Sequence, residues 1–150
     1  MMKRHVPSEE DGRVALRDHV LDKAEQARAR HGVIDAAGIS DLLADRDVAR
    51  FPTALRFATD RLQPGELAWA EARGDGPSEG YVLHVHPRFR GDDVLLPRIV
   101  AYHLVRINYG DIARPEEAEL FGATLLGLDV DEYYESLCAA ADGLLAEVRP

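Results

Sequence analysis

A chain of 150 residues, 46% hydrophobic and 30% charged, has enough apolar material for one core and too ordinary a balance for wholesale disorder. Its net charge of −9 argues against nucleic-acid and anionic-membrane partners, and a single cysteine excludes an intramolecular disulfide and a cysteine-rich zinc site. The acid is unevenly placed: residues 101–150 hold three basic and ten acidic residues, so the last third carries −7 of the total. With one thiol, no apolar N-terminal stretch and no apolar run long enough to span a bilayer, the expected location is cytoplasmic.

Residues 1–11 are polar and read as a flexible tail, leaving 12–150 as one domain. From Gly12 to His31, Val14, Leu16, Val20, Leu21, Ala24 and Ala27 recur at helical spacing, and Gly32 sits where a glycine cap belongs. A shorter helix starts at Ser40, a good N-cap, runs through Leu42, Leu43 and Val48, and stops at Phe51-Pro52.

The period then changes from helix to strand. Leu55 and Phe57 alternate with Arg56, and Gln63-Pro64-Gly65-Glu66 is a turn signal. Leu67, Trp69 and Glu71 then alternate with Ala68, Ala70 and Ala72. A Gly-rich loop over 73–80 leads into a third strand, Tyr81–His86. Short connections between the three strands predict an antiparallel meander.

The remainder is helical. Asp92 or Asp93 caps a helix with the apolar stripe Leu95, Leu96, Ile99, Val100, Leu104 and Ile107, which Gly110 stops. Pro115 with Glu116 and Glu117 opens the next helix, which ends at Gly127. Asp129 and Glu132 form a capping box for the last, which runs to about Glu147. The predicted order is ααβββααα: a single α+β domain with a three-stranded sheet packed against N-terminal and C-terminal helices.

Chemistry concentrates on three histidines. His84 and His86 lie two apart on a strand, so their side chains leave the same face, and an H-x-H pair can give one divalent metal two nitrogens. His103, inside the apolar stripe of its helix, is the natural third ligand. The bland alternative is two exposed strand histidines and one core histidine. Arg88 and Arg90 precede a helix start and could hold an anion, against which Asp92 and Asp93 would neutralise the field. Cys138, among Leu137 and alanines, reads as a buried structural thiol, and of Tyr133-Tyr134 one faces the core and one its rim.

The run Glu117-Ala118-Glu119-Leu120-Phe121-Gly122-Ala123-Thr124-Leu125-Leu126 resembles the helix that follows the zinc helix in ImmA/IrrE-type zincin metallopeptidases. The resemblance covers about a fifth of the chain. Where that family has H-E-x-x-H, this chain has Tyr102-His103-Leu104-Val105-Arg106, so the resemblance implies a zincin-like scaffold without zinc hydrolysis. The leading expectation is a non-catalytic interaction or accessory protein, a homo-oligomer using a sheet edge or face. The competing one is a metal- or histidine-dependent enzyme on His84, His86 and His103.

Overall fold

The computed structural model describes residues 8–148. These form five α-helices and a three-stranded sheet: α1 (Glu9–His31), α2 (Ile39–Ala44), β1 (Thr53–Phe57), β2 (Ala68–Ala72), β3 (Tyr81–Val85), α3 (Leu95–Tyr109), α4 (Pro115–Leu126) and α5 (Val130–Val148). The α+β class and the order of elements follow the expectation. Helix α1 begins earlier than expected, inside the stretch read as a tail. Ser8 Oγ accepts from Asp11 N–H (3.1 Å) and Asp11 accepts from Ser8 N–H (3.0 Å), a reciprocal cap.

The sheet corrects the meander. Its order is β1-β3-β2, with β1 parallel and β2 antiparallel to β3. The turn at Gln63–Glu66 forms, with Glu66 N–H bonding Gln63 C=O (3.0 Å), but it belongs to a longer connection that carries the chain to the far side of β3. The reason lies in strand polarity. In β3, Leu83 and Val85 are wholly buried, whereas β1 carries Arg56 and β2 carries Trp69 and Glu71. Placing the most apolar strand in the centre satisfies both its backbone edges and leaves the more polar strands at the margins.

One face of the sheet packs on the helices. Leu83, Val85 and Ala68 join Ile99, Val100, Leu104, Phe121, Leu125 and Tyr133 in a single core. Each fully buried Leu or Val contributes about 1.5–3 kcal/mol over leaving it in water. Helix α1 buries only the narrow stripe Val20, Ala24 and Ala27, laid chiefly against α4. It is also tied by Arg13, which donates to the buried Glu117. Helix α3 contacts α4, α5 and β2, and so forms the floor beneath the sheet.

The helix ends are local chemistry. Asp92 Oδ1 accepts from Val94 N–H (3.0 Å) and Leu95 N–H (2.8 Å) to cap α3. Gly127, left-handed at φ 69°, ψ 36°, ends α4, where a side chain would be strained. Within α4, a Cβ at Gly122 would collide with the Tyr133 hydroxyl, which donates to Arg98 C=O (2.6 Å). That close approach seats α5. Asn108 is the buried polar tie: its Nδ2 donates to Val48 C=O (2.7 Å) and its Oδ1 accepts from Arg50 N–H (3.0 Å), locking α3 to the approach to β1.

Candidate functional site: the groove along β2

His84 does not point at the helices. The register aligns Arg56, His84 and Trp69 in one row across β1, β3 and β2, on the face opposite Leu83 and Val85. His84 is nonetheless only 3% exposed, because its neighbours cover it. The Trp69 ring stacks on the imidazole (centroids 5.9 Å, 15°). Arg56 Nη1 donates to Nδ1 (3.4 Å), leaving the ring proton on Nε2, which donates to Glu71 Oε1 (3.3 Å). Arg56 also grips Asp60 (2.6 Å), and that hydrogen bond holds the Asp60 carboxyl below its ordinary value. The row braces the three strands to one another.

His86 lies just past the end of β3, where Pro87 starts a short turn. Its Nδ1 accepts from Arg88 N–H (3.1 Å), and burial followed by the Arg88 charge lowers its pKa. Arg88 turns to an ion pair with Glu147, and Arg90 lies over the Phe57 ring at 4.8 Å, so the two arginines face different partners. Asp92, engaged in capping α3, is not bound to either.

His103 stands on the other side of the sheet, on α3 facing β2. The three expected metal ligands are therefore not one set: His84 and His103 lie on opposite faces of the sheet, and His86 is tied up in a turn. Among the described residues no group of three His, Cys, Asp or Glu side chains is placed to hold a metal ion.

His103 instead lines a groove. On one side stand Ala68, Trp69 and Ala70 of β2; on the other Tyr102, His103 and Arg106 of α3; Arg114, Pro115 and Ala118 close one end. This groove, about 450 Å³, meets a second hollow of about 290 Å³ that shares Glu66, Ala68, Tyr102 and His103 and is walled by Tyr134, Leu137 and Cys138 of α5. Cys138 is exposed there rather than buried, because α5 turns Tyr133 and Leu137 inward and leaves Tyr134 (46% exposed) and Cys138 at the rim. Tyr133 and Tyr134 thus divide between core and rim as expected.

The groove is lined mainly by apolar side chains, with Glu66, Arg106 and Arg114 also in its lining. His103 has no hydrogen-bond or ion-pair partner among the described residues; its only close ring neighbour is Tyr102 (5.6 Å, 70°). Burial first, and the Arg106 charge second, lower its pKa to about 4, so it is a neutral imidazole at pH 7. Burial also raises Tyr102, with Glu119 adding to it, and raises Glu119, with Glu116 and Asp131 adding to it. The site offers one donor and one acceptor on an imidazole, two phenols and apolar walls.

The strand beside it has an open backbone. His86 N–H to Leu67 C=O (2.9 Å) and Arg73 N–H to Gly80 C=O (3.0 Å) put the odd-numbered residues of β2 on the β3 side. By alternation Ala68, Ala70 and Ala72 turn their N–H and C=O groups outward to the free edge. The sequence marked these alanines as a smooth face; that they form a sheet edge over His103 follows only from the strand order. Tyr102 and Arg106 carried no signal beyond standing where the zincin motif is missing. No family model matches this chain, and no curated protein or solved structure matches it.

Proposed function

We propose that this is a non-catalytic interaction protein that captures an extended segment of a partner protein by adding it as a strand to β2, in the groove over α3. One observation carries the reading: an unpaired strand edge of small side chains faces a partnerless, neutral His103 across a groove lined mainly by apolar side chains. Main-chain bonding to Ala70 and Ala72 supplies affinity, and the hollow beside Tyr134 and Leu137 takes one apolar or aromatic anchor. The net charge of −9 supports a protein rather than a nucleic-acid partner. Among the described residues no helix is long and apolar enough to cross a membrane, and cytoplasmic action is part of the proposal.

The test is selection of displayed nine-residue peptides on the full chain, followed by binding of the enriched peptides to Ala70→Pro. The Ala70 N–H faces outward, so proline removes a bond to the partner without breaking the ladder to β3. Enriched peptides with one apolar anchor that lose binding to Ala70→Pro support the reading; peptides that bind it unchanged contradict it. Light scattering of the free protein separates self-pairing through the same edge, the homo-oligomer, from capture of another chain.

A second reading has one observation in its favour. Tyr102, His103 and Arg106, which stand where the zincin motif would place its histidines and glutamate, all line the same groove. A zincin-like scaffold that keeps its cleft for binding accords with the first reading. Its test is Tyr102→His/His103→Glu/Arg106→His: zinc bound at this groove supports the scaffold, and no gain of zinc in a folded variant counts against it.

A further inference from the structure

The opposite edge of the sheet has its own groove, of different character. Tyr81 N–H to Pro52 C=O (2.8 Å) and Ala58 N–H to Val85 C=O (3.2 Å) place the even-numbered residues of β1 on the β3 side. Thr53, Leu55 and Phe57 therefore turn their backbone N–H and C=O groups to the free edge. Between that edge and α2 runs an open groove of about 700 Å³, floored by Leu43, Leu55 and Leu96.

Its charge runs against that of the protein. Three arginines, Arg46, Arg73 and Arg90, line the groove, and no Asp or Glu does, in a chain of net charge −9. None of the three has a carboxylate partner among the described residues. Arg46 donates to Leu43 C=O (3.1 Å) and Ala49 C=O (3.3 Å), and Arg90 covers the Phe57 ring. Carboxylates on neighbouring segments are engaged elsewhere: Asp92 caps α3, Asp93 accepts from Ala36 N–H (3.1 Å) and Asp35 accepts from Gly38 N–H (2.9 Å). Asp41, exposed on α2, lies outside the lining.

The arginines also have a spacing. Arg73, which follows β2 and bonds to Gly80, sits level with Pro52 at the start of β1, across β3 from it, and Arg90 stands over Phe57 at the end of β1. Five residues of strand, from Pro52 to Phe57, separate those levels, roughly 16 Å at strand rise, so only carboxylates spread along an extended chain meet both.

We propose that the β1 edge is a second docking site, taking an extended acidic peptide with an apolar residue between its carboxylates. The carboxylates meet the arginines that line the groove, and the apolar residue lies over Leu55. Charged residues on edge strands also serve to repel unwanted pairing, and that simpler role forecasts no peptide binding.

The experiment is a titration of the ¹⁵N-labelled chain with a capped nonapeptide of threonines bearing glutamate at its third and seventh places and leucine at its fifth. The expected result is shifts of the Thr53, Leu55 and Phe57 amides, with affinity weakened about tenfold or more by Arg73→Glu/Arg90→Glu. Leu55→Pro, folded by circular dichroism, removes the response, and a peptide with lysine for glutamate gives none. The proposal is overturned by unshifted edge amides at millimolar peptide, by equal binding of the lysine peptide, by shifts confined to Ala68, Ala70 and Ala72, or by an oligothymidine that binds the groove in the peptide's place. The proposal stands apart from the β2 groove, whose failure would not touch it.

Discussion

The two edges of the sheet present the same bare backbone and different surroundings. Beside β2 stand a neutral imidazole, two tyrosines and mainly apolar walls, with Glu66, Arg106 and Arg114 also in the lining; the groove beside β1 holds three arginines without carboxylate partners and no acidic residue. Main-chain edges bind any extended chain, so selectivity rests on the side chains opposite. On the proposed readings the β2 groove selects chiefly by shape and apolar contact, the β1 groove by charge.

The strongest way to break this comparison is proline. Ala70→Pro is expected to weaken binding at β2 by about thirtyfold or more and leave the acidic peptide at β1 unaffected, with Leu55→Pro doing the reverse. Calorimetric titration of both variants checks it; one variant that abolishes both interactions would mean a single shared site.

Next comes the row that ties the edges together. His84→Ala removes the ring between Trp69 and Arg56 and takes one of its partners from Glu71, and is expected to cost about 1–3 kcal/mol in urea unfolding. His86→Ala, which loses one turn bond, is expected to cost about 1 kcal/mol or less. Equal losses would contradict a bracing role for His84.

Salt sharpens the contrast. Raising ionic strength from about 0.05 M to 0.5 M is expected to weaken the acidic peptide at β1 about tenfold and a β2 ligand by twofold or less.

The last contrast is titration. His103 has a folded pKa near 4, below its unfolded value, so acidification protonates the unfolded chain first. Stability that is fully present above about pH 6.5 is then lost as pH falls toward 4, by at most about 1.4 kcal/mol per unit. His103→Leu is expected to flatten that part of the slope between pH 7 and 5; an unchanged slope would mean His103 is not the buried neutral group described.

What the sequence made legible was local. Asp92, Gly110, Gly127 and Asp129 marked helix ends because caps are read from neighbouring residues, and all of them act as read. Ser8 was legible too, through its capping box with Asp11, and was passed over for the polarity around it. The sheet order was not legible: alternation and turn residues locate strands but not their neighbours, and here the apolar content of β3 overrode the short connections. The histidines illustrate the gap. Period two placed His84 on the face opposite Leu83, but only the central position of β3 and the stacked Trp69 explain its burial. His103 was correctly placed on its helix, while its partner across the groove turned out to be the alanine edge of β2.

Amide hydrogen exchange on the chain with and without a selected β2 peptide tests the central claim most directly. Ala70 and Ala72, unlike the buried Ala68, bear outward N–H groups that should exchange freely in the unbound protein. The account predicts that a bound segment protects these alternate amides of β2 while Trp69 and Glu71, already bonded to β3, change little. Protection elsewhere, with the β2 edge still exchanging freely in the complex, would contradict it.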